Sequence, residues 1–123
     1  MRVLLAEDNP MSQRVGVILL KRLGHSVDTA SDGLEVLAAI ERATYDVVLL
    51  DIHMPNLDGF GAALEICRRW PHDRPYIIAL TASAMDEDRE AALAAGMDAY
   101  LSKPFTQEEF VDALARVPIR ERA

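Results

Sequence analysis

Four short runs of apolar residues punctuate the chain: Val3 to Ala6, Val47 to Leu50, Tyr76 to Leu80, and a weaker one from Ala99 to Leu101. Their apolar character is continuous rather than alternating, as a parallel strand covered on both faces requires. A poorer run, His25 to Ala30, makes the second of five in chain order. Between these runs apolar residues recur every three or four positions: Met11, Val15, Leu19 and Leu23; Val36, Ile40 and Ala43; Phe60, Leu64 and Cys67; Phe110, Leu114 and Val117. Each set predicts a helix packed by that face. The stretch from Met85 to Ala95 is Ala-rich and acidic, with Leu93 as its one large late anchor, and predicts a weakly docked helix. Strand and helix alternate five times, which implies a parallel sheet sandwiched by helices through right-handed crossovers.

The punctuation agrees. Asn9 followed by Pro10 suits an N-cap and first helical position, and Gly24 suits the residue just past a helix end. Thr106 with Glu109 makes a capping box. Pro118 and the charged residues 119–123 read as the end of the last helix and a tail, so residues 1–123 are expected to form one domain.

Composition narrows the function. A length of 123 residues, half of them apolar, suffices for one core. The formal charge of −7 works against binding a polyanion, so direct nucleic-acid binding is not expected. The single cysteine, Cys67, excludes an internal disulfide and is read as a small core residue. No apolar stretch reaches the ~18 residues of a membrane span, and Met1-Arg2 runs straight into the first strand without a signal peptide, so the expected location is cytoplasmic.

The polar residues at strand ends carry the chemistry. Glu7 and Asp8 follow the first strand, Asp51 the third, Thr81 the fourth, and Lys103 the fifth. This is the sheet edge at which open α/β folds bind ligands. Taken singly, Asp8 or Thr81 could cap a helix and Lys103 could be solvated. Three carboxylates in one crevice are different, because like charges at short range destabilise one another unless a proton or a metal intervenes. A hard divalent cation such as Mg²⁺ resolves the conflict, being held by one or two carboxylates with waters and a phosphate oxygen. A lysine and a hydroxyl nearby suit phosphate.

Read together, these residues resemble the receiver domain of two-component response regulators along essentially the whole chain. The matching marks are Glu7-Asp8, Asp51, the loop from Asp51 through Gly59, Thr81-Ala82 and Lys103-Pro104-Phe105. The resemblance implies a doubly wound, flavodoxin-like α/β/α sandwich with five strands in the order 2-1-3-4-5 and five helices. It implies Asp51 as nucleophile, accepting a phosphoryl group from a histidine kinase or histidine phosphotransfer protein. Mg²⁺ or Mn²⁺ would be held by Glu7, Asp8, Asp51 and the main-chain carbonyl of His53, with Lys103 and Thr81 on the phosphoryl oxygens. Thr81 and Tyr100 would act as the switch, reshaping the surface of helix four, strand five and helix five for a downstream protein. A cis Lys103-Pro104 bond is also implied. Glu7 through Gln13 resembles the first loop of receivers in hybrid histidine kinases.

Other residues have plainer readings. The His53 side chain is expected to face solvent beside the site rather than ligate, His25 and His72 to be surface residues, and Trp70 to pack. An aspartyl phosphatase commonly needs a second carboxylate two residues beyond its nucleophile, where His53 stands. A nucleotide-binding flavodoxin-like protein needs a Gly, Ser or Thr-rich first loop, where Glu7-Asp8-Asn9 would repel phosphate. A degenerate receiver, acting only as a protein-binding module, typically loses the Asp, Thr or Lys that this chain retains.

Overall fold

The computed structural model describes residues 1–81, 86–102 and 106–118, with residues 86–88 as backbone only. Strands β1 (Arg2–Ala6), β2 (Ser26–Ala30), β3 (Val47–Asp51), β4 (Tyr76–Thr81) and β5 (Ala99–Ser102) alternate with helices α1 (Pro10–Arg22), α2 (Gly33–Arg42), α3 (Gly59–Arg69), α4 (Asp86–Ala94) and α5 (Gln107–Ala115). All strand pairs are parallel, in the order β2-β1-β3-β4-β5. The expected fold class therefore holds.

Alternation along the central strands divides the core in two. Leu4, Ala6, Val48, Leu50, Ile77 and Ala79 pack with α2, α3 and α4 residues such as Val36, Ala62, Ile66 and Ala92. Val3, Leu5, Val47, Leu49, Ile78 and Leu80 pack on the other face with Leu20 of α1 and Phe110 and Leu114 of α5. Because β1, β3 and β4 are covered on both faces, their runs are apolar without alternation. The edge strand β2 leaves Asp28 and Thr29 exposed, which explains its weaker signal.

The helix boundaries follow the expected chemistry. The Asn9 side chain accepts from the N–H groups of Met11 and Ser12, and Pro10 opens α1. Gly24, at φ 88°, closes it: Gly24 N–H donates to the Lys21 carbonyl and His25 N–H to the Leu20 carbonyl. Thr106 and Glu109 exchange both bonds of the capping box.

Three helix faces differ from expectation. On α1, Met11 and Val15 are 79% and 65% exposed, while the expected Leu19 and Leu23 do pack, joined by Val17 and Leu20. Its inner face also carries Gln13 and Gly16, the latter so close to the sheet that a Cβ would meet Leu5 at 2.7 Å. On α3, Leu64 is exposed and the small residues Ala62 and Ala63 are buried with Ile66. Leu93 of α4 is 53% exposed; Ala92, Ala95 and Met97 anchor that segment. In each case small or polar residues allow the close approach, and the large apolar ones fall outside.

Candidate functional site

β1, β3 and β4 are neighbours in the sheet, so residues at their carboxyl ends converge. Ala6 pairs with Leu50, which sets Glu7 level with Asp51. Asp51 pairs with Leu80, which puts Thr81 one residue further along. One oxygen each from Glu7, Asp8 and Asp51 lies within 4.8 Å of the others. Glu7, Asp51 and Thr81 are buried, whereas Asp8 is exposed, so the cluster is rooted in the core and opens to solvent.

The local backbone is tightly specified. Glu7 N–H donates to the Ala30 carbonyl, and the Gln13 amide donates to the carbonyls of both Glu7 and Ala30, joining the first loop to the end of β2. Asn9 N–H donates to Glu7 Oε1. Beyond Asp51, His53 N–H donates to Asp51 Oδ1 at 3.0 Å, and Ile52 N–H donates to the Leu80 carbonyl. Gly59 is required here, because a Cβ would lie 2.4 Å from the Asp51 carbonyl oxygen.

The donor set fits a hard divalent ion. Octahedral Mg²⁺, with oxygens at about 2.0–2.1 Å, separates opposite ligands by about 4.2 Å. The 4.8 Å spread of the carboxylates is within one rotamer adjustment or one intervening water of that span. Carboxylate oxygens without sulfur or imidazole match Mg²⁺ or Mn²⁺ better than softer metals.

The other expected residues distribute unevenly. The His53 residue is exposed, as anticipated. Tyr100 is half-buried and pairs with Ala79, two residues before Thr81, so it shares that face of the sheet with Thr81. Lys103, the Lys103-Pro104 bond, Phe105, Ala82 and Ser83 lie outside the described residues. Trp70 packs against the core, His72 is exposed, and His25 is half-buried, with burial and the neighbouring N-terminal ammonium holding its imidazole below the usual range. Cys67 is half-buried against Gly96.

In the sequence Gln13 stands only as the last residue of the Glu7–Gln13 loop, with no role of its own. It interrupts the apolar spacing of α1, and a polar residue on an inward helical position is the signal that could have found it. The repeated Asp-Gly at 32–33 and 58–59 is another missed sign: both aspartates cap helices, accepting from Glu35 N–H and Gly61 N–H.

Residues 3–115 match the response regulator receiver domain family model. Histidine kinase 5 of Arabidopsis thaliana is 35% identical over 140 residues, covering 92% of this chain but 15% of that protein, so the chain spans a small part of its relative. The receiver domain of the sensor histidine kinase PA1611 of Pseudomonas aeruginosa PAO1, solved with magnesium coordinated in its active-site cleft, is 43% identical, with a TM-score of 0.87 and coverage of 94% and 95%. A co-crystal of the Saccharomyces cerevisiae phosphotransfer protein Ypd1 with the receiver domain of Ssk1 contains a chain matching at 26% identity and TM-score 0.88, covering 94% of this chain and 86% of that one. No helix among the described residues is long and apolar enough to cross a membrane. On its family match and its fold, this chain belongs to the response regulator receiver domains of two-component signalling.

Proposed function

We propose that the domain is a phosphoacceptor switch in which Asp51 takes a phosphoryl group from a phosphohistidine on a kinase or phosphotransfer protein. The observation that carries this reading is the approach of the Glu7, Asp8 and Asp51 oxygens to within 4.8 Å at the carboxyl edge of the sheet. Glu7, Asp8 and Asp51 would hold Mg²⁺ or Mn²⁺ with the His53 carbonyl, and the ion would offset charge on the transferred group. An Asp51 carboxylate oxygen attacks phosphorus, the P–N bond breaks, and imidazole leaves with the electron pair. The Asp51 acyl phosphate so formed is later hydrolysed in line by water. The His53 N–H orients the Asp51 carboxylate. Lys103, by its position after β5, and the Thr81 hydroxyl would bind phosphoryl oxygens.

The response would travel through Thr81 to Tyr100, which shares its face, and so to the surface of α4, β5 and α5. The donor has an apolar landing: Met11, Val15 and Ile18 form an exposed stripe along α1, which starts at the cleft. The partners are thus a histidine-phosphorylated donor and a downstream protein, meeting the domain in the cytoplasm. Transfer of labelled phosphate from a phosphorylated histidine phosphotransfer protein tests this. Label should move to wild type and not to Asp51→Asn, and Val15→Asp should slow transfer from the protein donor but not phosphorylation by a small acyl phosphate. Label appearing equally on Asp51→Asn would overturn the assignment, and equal transfer to Val15→Asp would remove the landing site.

A further inference from the structure

The β3–α3 loop, residues 52–58, is held at three places. Gly59 N–H donates to the Ile52 carbonyl at 2.8 Å, closing the loop at its base. At its outer rim Gly33 N–H, in the first turn of α2, donates to the Leu57 carbonyl at 2.9 Å. Beside that bond the Asn56 side-chain amide donates to Asp32 Oδ2 at 2.7 Å, while Asp32 Oδ1 accepts from Glu35 N–H as the cap of α2. Asn56 sits at φ 64°, the one non-glycine residue with positive φ among the described residues, a conformation asparagine tolerates better than most. Gly33 is equally constrained, since a Cβ there would lie 2.4 Å from the Leu57 carbonyl oxygen. Between the base and the rim stands His53, whose N–H holds Asp51.

From this we infer that Asp32, Gly33 and Asn56 are positioning residues for the site: the start of α2 straps the outer rim of the loop and thereby fixes the His53 peptide against Asp51. The inference rests on the proposed metal-assisted chemistry, because its consequence is for a cation held by Asp51 and the His53 carbonyl. Without the strap the loop remains closed at Gly59, but its rim can pivot, and the His53 carbonyl it presents loses its fixed separation from Asp51 at the end of β3. Outer-shell groups that orient ligands typically change metal affinity substantially without touching the metal. The strap also links the α2 side of the fold to the acidic cleft, a connection that local helix capping alone would not make.

The sign of one substitution separates this from simple electrostatics. Asn56→Asp sets a second carboxylate against Asp32 and breaks the strap, yet adds a negative charge near the cleft, which by itself would tighten a cation. The strap predicts Mg²⁺ binding weakened by about tenfold in titration calorimetry, the lower end of the range for outer-shell partners. It also predicts faster amide hydrogen exchange at Gly33 in the metal-free protein. The swap Asp32→Asn with Asn56→Asp keeps an N-cap, keeps the net charge and restores an amide-to-carboxylate bond, so it should recover both wild-type Mg²⁺ affinity and Gly33 protection. Asn56→Asp binding Mg²⁺ as tightly as wild type or tighter, or a swap variant as impaired as the single, would overturn the inference. If wild type itself fails to bind Mg²⁺, the proposed chemistry falls. Gly33 exchange then still decides the strap: unchanged protection in Asn56→Asp refutes it.

Discussion

The two edges of the sheet use acidic residues in opposite ways. At the amino edge each carboxylate is answered: Asp98 makes a bidentate pair with Arg74 at 2.6 and 2.9 Å and accepts from Ile77 N–H. Asp28, midway along β2, reaches back to the same edge, accepting from the Tyr45 hydroxyl at 2.6 Å and facing the Arg2 guanidinium, which also lies over the Tyr45 ring. Asp46 accepts from Arg2 N–H at 2.7 Å while its own backbone bonds to both Arg2 and Tyr76. At the carboxyl edge, Glu7, Asp8 and Asp51 turn toward one another. The first arrangement fastens strand starts, whereas the second gathers three carboxylates, two of them accepting from backbone N–H groups, around one point at the cleft. The lesson is that a carboxylate's surroundings, rather than its burial alone, separate a structural role from a chemical one.

Removing a carboxylate from each edge should break the symmetry in opposite directions. Asp98→Ala leaves Arg74 and Ile77 N–H without their shared acceptor and should cost about 2–4 kcal/mol in chemical denaturation, with Mg²⁺ binding intact. Asp8→Ala should leave the metal-free fold as stable as wild type or more so, since repulsion is relieved. Its Mg²⁺ affinity should fall tenfold or more, about 1.4 kcal/mol, in titration calorimetry. His53→Ala should lose far less, because the expected ligand there is a main-chain carbonyl; equal loss would make the imidazole a ligand.

Thr81→Ala sharpens the comparison within the carboxyl edge. It should still accept phosphate on Asp51, but coupling to the distant face should weaken by about 1 kcal/mol, within the usual range of such couplings. NMR shifts across residues 84–102 would show a smaller response to phosphorylation than in wild type. A full response would exclude this route.

An effect confined to alkaline pH belongs to Tyr45, whose burial, together with the Asp28 carboxylate, pushes its phenol up to about 12. Its folded-state value is raised, so its contribution to stability is complete below the unfolded value of about 10 and is lost as pH rises toward 12. Tyr45→Phe should flatten the loss of stability over that window, by at most the roughly 2.7 kcal/mol that a two-unit shift represents, measured by denaturation at stepped pH.

The sheet and the acidic cleft were legible in the sequence because both announce themselves locally. Val47 through Leu50 has the continuous apolar character of a doubly covered strand, and Glu7, Asp8 and Asp51 stand at strand ends that the topology gathers. The packed faces of α1 and α3 were less legible. Apolar periodicity points to the largest side chains, and α1 places Met11, Val15 and Ile18 outward while Gln13, Gly16 and Leu20 turn in. The strap between Asp32 and Asn56 joins residues 24 apart through a side chain, and no local pattern encodes such a pairing.

The most direct test of the central claim is intact-mass analysis after incubation with a small acyl-phosphate donor, with Mg²⁺ or with excess chelator. Wild type should gain one phosphoryl group only with the metal, and Asp51→Ala should gain none. A mass gain that persists in Asp51→Ala, or that proceeds fully in chelator, would contradict the assignment of Asp51 as the metal-assisted phosphoacceptor.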